Sequence, residues 1–151
     1  AEYSQQEKKI KTVDVSQFLI SATGWKNANI KPFPHEVAIH DPCTLRNGLH
    51  MHSSPYELVA RIPDIRVTPL DGNTVGCGAA GTYFIDQPNL AKQLLNQKID
   101  ALIDCGARYL LTSNIGCALH IASGLREKEI DIEVLHPVTL LARQMGIQYQ
   151  T

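Results

Sequence analysis

The sequence lacks several features that identify common classes of protein. Its 14 basic and 15 acidic residues leave a formal net charge of −1, so no basic surface indicates binding to nucleic acid or to an anionic membrane. No apolar run approaches the roughly 20 residues that span a bilayer, and the opening AEYSQQEKKIK lacks the apolar core of a signal peptide. These absences predict a cytoplasmic chain, and its 151 residues predict one domain with a substantial core.

Cysteine occurs four times, but no C-x-x-C pair is present. The sequence therefore indicates neither a dithiol oxidoreductase nor a disulfide framework, and metal binding or thiol chemistry in a reducing compartment is favoured. A phosphatase loop is excluded, because Leu49 and Ser123 stand six positions after Cys43 and Cys117, where that loop requires arginine. The ferredoxin pattern C-x-x-C-x-x-C is absent as well.

Hydrophobic periodicity predicts strands that alternate with helices. Four short apolar runs predict strands, at 36–41, 64–70, 108–113 and 132–136. Helices are predicted at 14–24, 54–63, 88–104, 117–126 and 137–145. Asp14 is the expected N-cap of the first helix, and Ser54 with Glu57 is the expected capping box of the second. This alternation predicts an α/β, Rossmann-like three-layer domain with a four-stranded, mainly parallel sheet.

Cysteine and histidine follow the predicted strands at their carboxyl ends. Cys43 comes after the first strand, Cys77 lies in the loop after the second, Cys117 follows the third, and His136 closes the fourth. Right-handed crossovers place all carboxyl ends of a parallel sheet at one edge, so we expect these side chains to converge there.

The stretch TVGCGAAGTY at 74–83 contains the spacing G-x-G-x-x-G of dinucleotide-binding loops. That motif requires a helix directly after the glycines and an acidic residue at the end of the next strand. Here the helix is predicted only from Pro88, and Asp100 and Asp104 fall inside it. The glycines are better explained as a flexible backbone that presents Cys77 to its neighbours.

Cys117 and His120 are three residues apart at the start of a predicted helix and therefore share a face. Together with Cys43 and Cys77 they form a set of three cysteines and one histidine. Such a set is sufficient for a closed tetrahedral ion site or for an iron–sulfur cluster. Any one of these cysteines alone would be read as a buried core residue, and His136 ranks below His120 as a ligand.

Other candidate residues receive a structural interpretation. Cys105 ends the long predicted helix away from the carboxyl edge and is expected to be a buried structural thiol. His40 lies within the first strand and is expected to be a core or orienting residue. His50 and His52 alternate in a loop and are expected to be solvated. Arg46 either supports an anionic cluster near Cys43 or is a surface residue.

Taken together, these motifs resemble the cysteine-rich CCG domain that occurs twice in the iron–sulfur subunit of glycolate oxidase. The resemblance extends to the heterodisulfide reductase B subunit and to lactate-utilisation proteins, and it is strongest to the last such domain of the glycolate oxidase subunit. Four blocks carry it in order: HDPCTLRNG at 40–48, GCGAAGTYFIDQPNLAKQL at 76–94, NIGCALHIASGLR at 114–126 and HPVTLLARQM at 136–145.

The resemblance implies a CCG-type α/β domain at residues 35–151, preceded at 1–34 by a polar linking segment with one short helix. It implies an iron–sulfur or metal-binding domain of an oxidoreductase complex, in which a flavoprotein partner oxidises a 2-hydroxy acid such as glycolate. In that complex the iron–sulfur subunit passes the electrons on, and the isolated domain is not expected to be active alone. Association with a membrane surface is expected only through the complex.

The resemblance also implies the ligands, namely Cys43, Cys77 and Cys117, with His120 where some relatives have a further cysteine. The expected cofactor is an iron–sulfur cluster, of the 4Fe-4S kind, or a single zinc or iron ion. One residue departs from the family pattern, because Gly76 stands where the first cysteine of CCG is expected. The alternative function is therefore a zinc-stapled or metal-free structural or docking module of the same complex.

Overall fold

The computed structural model describes residues 12–49 and 52–147. In this part of the chain, four strands form one sheet: β1 Glu36–Ile39, β2 Arg66–Pro69, β3 Tyr109–Leu111 and β4 Glu133–Leu135. The strand order is β2-β1-β3-β4, and each adjacent pair is parallel. The predicted parallel sheet is confirmed, and the carboxyl ends of all four strands lie at one edge.

Helices connect and cover the strands. The α-helices are α1 Val15–Ile20, α2 Ser54–Val59, α3 Tyr83–Asp86, α4 Pro88–Asp104, α5 Ile115–Glu127 and α6 Pro137–Gln144. A 3-10 helix spans Trp25–Asn27, and a π-helix spans Thr44–Leu49 directly after Cys43. Sequence periodicity missed α3, which has only one turn and no buried residue.

Two hydrophobic clusters lie on opposite faces of the sheet, because successive side chains of a strand point to opposite sides. Ala38 of β1 packs with Ile99 of α4 and Ile121 of α5. Its neighbours Val37 and Ile39 belong to the other cluster, which contains buried side chains of α2 and α6. The sheet and the helices packed on its two faces form the three layers that the sequence predicted.

The start of α2 differs from the prediction. Ser53 is the N-cap residue and makes no side-chain capping hydrogen bond, so the capping box predicted at Ser54 and Glu57 is wrong. The Ser54 hydroxyl, 1% exposed, instead donates to Gln17 Oε1 at 3.0 Å. This contact ties α1 to α2. By contrast, Asp14 accepts a hydrogen bond from Ser16 N and caps α1 as predicted.

The segment before residue 35 packs on the rest of the domain through α1 and through a hydrogen bond from Lys31 N to Gln144 O. The boundary at residue 34 stays a prediction. Residues 1–11, which were predicted to be polar and aperiodic, lie outside the described residues, as does His50. Within the described ranges, no helix has both the length and the apolar character needed to cross a bilayer.

Candidate metal centre

The segment that leaves β1 is held in place on both sides of His40. Asn73, in the loop after β2, donates from Nδ2 to Ile39 O at 2.8 Å and accepts from Asp41 N at 3.1 Å. The backbone of His40 continues the sheet by donating to Leu111 O at 2.9 Å. His40 is 1% exposed, so its imidazole is buried on a fixed stretch of backbone.

Asp41 organises the approach to Cys43. Its buried carboxylate pairs with the Arg46 guanidinium and accepts a hydrogen bond from the Tyr56 hydroxyl at 2.8 Å. Burial, followed by the hydrogen bond to Asp41, raises the pKa of Tyr56 far above its ordinary value. Arg46 is therefore an anchor for the π-helix, because its charge is already paired with Asp41.

The glycine-rich loop at 76–81 bends tightly against the start of α4. Gly78 has a φ of 92°, and a Cβ at this position would lie 2.7 Å from Ala91 O, so only glycine fits. Cys77 is consequently turned inward and is 4% exposed. The loop therefore positions a thiol, as the sequence indicated.

Cys117 lies in the first turn of α5. Asn114 caps this helix and accepts a hydrogen bond from Cys117 N at 3.1 Å. The sulfur atoms of Cys117 and Cys77 are 2.9 Å apart, well beyond the disulfide bond length of about 2.05 Å. Both cysteines are free thiols.

The two thiols titrate as a pair. The hydrogen bond with Cys117 lowers the pKa of Cys77, although burial acts in the opposite direction. The same hydrogen bond, together with burial, raises the pKa of Cys117. The hydrogen bond therefore favours ionisation of Cys77 over ionisation of Cys117.

His40 joins this pair to form the close donor group. One ring nitrogen of His40 and the sulfur atoms of Cys77 and Cys117 all lie within 4.8 Å of one another, and all three residues are buried. Neither ring nitrogen of His40 makes a hydrogen bond of normal distance and angle with any described residue, and the neighbour with which the ring interacts is Cys77, whose pKa it helps to lower. A buried polar group left unpaired costs about 1–3 kcal/mol, and imidazole with thiolates is a donor set for zinc, iron or copper. The residues present therefore fit a metal.

Cys43 lies at the mouth of the same site. It is exposed and lines a cavity of about 210 Å³ together with Cys77, Cys117, Asn114 and the loop at 76–81. The structure thus places the three cysteines singled out from the sequence around one cavity at the carboxyl edge of the sheet.

His120 lies outside the close donor group. Three residues advance about 300° around a helix, so His120 is rotated by about 60° from Cys117 and faces α3 instead of the sheet edge. Its ring centroid is 6.5 Å from that of Phe84, and it lines a separate cavity with Phe84 and Leu119. Its Nε2 has no hydrogen-bond partner in the described part of the chain.

His136 has a structural role at the N-terminus of α6. Its Nδ1 accepts a hydrogen bond from Val138 N at 3.1 Å and thereby caps the helix. Burial lowers the pKa of His136, and the nearby Asp14 carboxylate offsets this only in part. Cys105 is half-buried at the end of α4, where its thiol donates to Leu102 O at 3.3 Å. His52 is exposed.

Comparison with known proteins places these residues in a family. The model of the family described as CCG, a cysteine-rich domain, matches residues 37–122, a span that contains His40, the three cysteines of the cavity and His120. The chain belongs to the cysteine-rich (CCG) domain family. This confirms the resemblance drawn from the four sequence blocks.

Named relatives of this CCG domain include lactate utilization protein A and an iron–sulfur subunit. Lactate utilization protein A of Macrococcus caseolyticus (strain JCSC5402) is 26% identical over 140 residues, covering 93% of this chain and 57% of that protein. The Bacillus subtilis (strain 168) protein of the same name is 22% identical over 131 residues, 87% and 55% of the two chains. The glycolate oxidase iron-sulfur subunit of Escherichia coli (strain K12) is 34% identical over 91 residues, 60% and 22% of the two chains. The CCG domain therefore spans about half the length of the lactate utilization proteins.

Lys98 of the CCG domain is a functional candidate that the sequence analysis missed. It is 2% exposed on α4 and donates from Nζ to Gly72 O in the loop that leads to Cys77. Burial lowers the pKa of Lys98, and its electrostatic interactions with Cys77, Cys117 and Asp41 act in the opposite direction. A lysine three positions after Leu95, within an apolar helix face, was the available signal.

Proposed function

We propose that this domain holds an iron or iron–sulfur centre and takes part in electron transfer within an oxidoreductase complex that oxidises a 2-hydroxy acid. The observation that carries the proposal is the buried Cys77–Cys117 pair beside His40, with Cys43 at the mouth of the same cavity. Membership of the CCG family supports it, as do relatives whose names refer to glycolate oxidase and to lactate utilization.

The donor chemistry supports an iron-containing centre. Thiolates bind iron and zinc strongly and hold iron–sulfur clusters. Cys43, Cys77 and Cys117 are the proposed thiolate ligands. The family resemblance implies His120 as a fourth ligand, but His120 lies outside the close donor group. The centre would supply one-electron chemistry, while the chain keeps two of the thiolates away from water and leaves Cys43 at the surface.

The proposed electron donor is a flavoprotein subunit of the same complex. An exposed Cys43 gives such a partner access to one edge of the centre without unfolding the domain. The proposed compartment is the cytoplasm, where thiols remain reduced and available as ligands. Contact with a membrane would come through the complex.

A structural metal site is the second candidate function, and one observation favours it. The three closest donor atoms lie within 4.8 Å of one another, a spacing suited to a single ion, and residue 76 is glycine where the family pattern has cysteine. A closed zinc site of this kind stabilises a fold and carries no electrons. The module would then serve the assembly of the complex.

Metal and acid-labile sulfide analysis separates the two functions. We expect protein purified without oxygen, or reconstituted with iron and sulfide, to contain iron and to show a visible spectrum that bleaches reversibly on reduction. Cys77→Ser should lose the iron, whereas Cys105→Ser, which alters a thiol outside the site, should retain it. Stoichiometric zinc that iron cannot replace would support the structural function instead. Identical metal contents in Cys77→Ser and Cys105→Ser would contradict both.

A further inference from the structure

We propose that His40 is the nitrogen ligand of a single divalent ion of the Zn²⁺ or Fe²⁺ class, which it binds together with Cys77 and Cys117. Cys43 completes the tetrahedron from the mouth of the cavity. This inference rests on the proposed function only in requiring that the domain binds a metal. It differs from the ligand set implied by the family in its nitrogen donor, which is His40 and not His120.

The spacing of the donor atoms suits one ion. Two thiolates on one tetrahedral zinc lie about 3.8 Å apart, given Zn–S bonds of about 2.3 Å. The sulfur atoms of Cys77 and Cys117 are 2.9 Å apart, and the nearest His40 nitrogen is within 4.8 Å of both. Small rotations of buried side chains bring all three to an ion. Thiolates bound to different irons of a cluster would need to be farther apart.

The imidazole of His40 interacts with the Cys77 thiol but makes no hydrogen bond of normal geometry with any described residue, and a metal shared with Cys77 would supply its partner. His40 is 1% exposed, and both of its ring nitrogens are buried without a hydrogen bond of normal geometry. A buried polar group without a hydrogen bond destabilises the fold, so its presence calls for an explanation such as a bound ion. A metal bond at one nitrogen accounts for the position of the ring.

The backbone around His40 is fixed in advance of metal binding. Asn73 holds the peptide groups on both sides, and His40 N donates to Leu111 O of β3. These hydrogen bonds fix the backbone that carries the ring, so the fold itself sets the position of His40 beside the sulfur pair. His120 lies on the helix face toward Phe84, and no such backbone hydrogen bonds hold it beside the sulfur atoms of Cys77 and Cys117 in the described part of the chain.

The charge of the surroundings agrees with an anionic centre. A divalent ion with three thiolates and one neutral imidazole carries a net charge of −1. The side chain of Lys98, 2% exposed, interacts electrostatically with both Cys77 and Cys117, and its protonated form offsets that charge.

Cobalt substitution tests the ligand assignment on the 151-residue chain. Co²⁺ is added anaerobically to metal-free wild type, His40→Gln and His120→Gln, and the ligand-field and thiolate charge-transfer bands are recorded. We expect wild type to bind one Co²⁺ in a tetrahedral site and His120→Gln to match it. His40→Gln should bind at least about 100-fold more weakly, beyond the usual upper effect of a supporting residue. Competition with Zn²⁺ should give the same order of affinities.

X-ray absorption of Zn²⁺-loaded His120→Gln covers the case in which His40→Gln does not fold. The expected spectrum shows three sulfur ligands and one imidazole. A spectrum with sulfur ligands alone would overturn the proposal, as would His40→Gln that binds Co²⁺ with wild-type affinity and spectrum. In both of those outcomes the metal centre of the proposed function would stand. If wild type itself bound neither metal, the proposed function and this inference would fail together.

Discussion

At the scale of single residues, position 76 has room for a side chain that glycine does not supply. No heavy atom lies within 4 Å of a Cβ built on Gly76, its φ is outside the left-handed region, and the residue lines the cavity with Cys43 and Cys77. The sequence resemblance to the CCG domain implies a cysteine at this position. Glycine at position 76 therefore leaves out a possible thiolate ligand, although the backbone there has room for one.

Gly76→Cys is expected to increase the iron and sulfide bound per chain after reconstitution, because it adds a thiolate beside Cys77 without a steric clash. Metal and sulfide analysis with visible spectroscopy checks this. Gly76→Ser is the matched control, since it adds a side chain of similar size without a thiolate. Equal iron and sulfide in the two variants would show that residue 76 does not determine the type of centre.

Gly78 differs from Gly76 in both conformation and contacts. Gly78→Ala would place a Cβ 2.7 Å from Ala91 O at a φ of 92°. We expect the free energy of unfolding of the metal-free protein to fall by more than about 1 kcal/mol, because left-handed backbone and steric overlap both penalise alanine. Urea unfolding measures this. Gly76→Ala should change the value by less than about 0.5 kcal/mol, and a similar loss in both variants would contradict the interpretation.

At the scale of elements, the N-terminus of α6 depends on a neutral histidine. His136 accepts a hydrogen bond from Val138 N, and burial lowers its pKa, with Asp14 as the charged group that opposes the shift. Protonation would convert the acceptor into a donor and place a positive charge at a helix N-terminus, where it is unfavourable. The unfolded chain therefore binds this proton more readily than the folded chain.

The sign of the pH dependence follows from that lowered pKa. The contribution of His136 to stability is present above the unfolded pKa of about 6.5 and is lost as the pH falls below it. Urea unfolding at about pH 7 and about pH 5 should show a smaller acid-induced loss for His136→Asn, which caps without titrating, than for wild type. His52→Asn, at an exposed position, should behave as wild type. A loss that is the same in all three chains would exclude a role for His136.

At the scale of the whole molecule, the proposed centre connects separate parts of the fold. His40 follows β1, Cys77 lies in the loop after β2, and Cys117 is on α5 after β3. An ion bound by all three is present only in the folded state, so its binding free energy adds to the stability of the domain.

Removal of the metal should therefore lower the melting temperature. At a free metal concentration 100 times the dissociation constant, binding contributes about 2.7 kcal/mol, which corresponds to about 5–10 °C for a domain of this size. Thermal unfolding with Zn²⁺ and with a chelator measures the difference. Cys105→Ser should keep the full shift and Cys77→Ser should lose it. A shift that survives in Cys77→Ser would place the stabilising metal elsewhere.

Much of the architecture was predictable, and so was part of the site. The four strands, the helix at 88–104 and the Asp14 cap follow from local patterns that the structure confirms. The positions of Cys43, Cys77 and Cys117 after three strands indicated one shared edge, and the structure places them around one cavity. Local pattern was insufficient at Ser54, because its hydroxyl bonds to Gln17 of another helix.

The sequence by itself determined the order of elements, the parallel sheet and the edge at which thiols gather, since these depend on periodicity and on the handedness of crossovers. Only the tertiary structure decided which histidine lies beside the sulfur pair. His120 shares a helix with Cys117, yet the helix turns it toward Phe84. His40 is 77 residues from Cys117 in sequence, and the pairing of β1 with β3 brings them together. Such proximity arises from packing between strands, which no local pattern records.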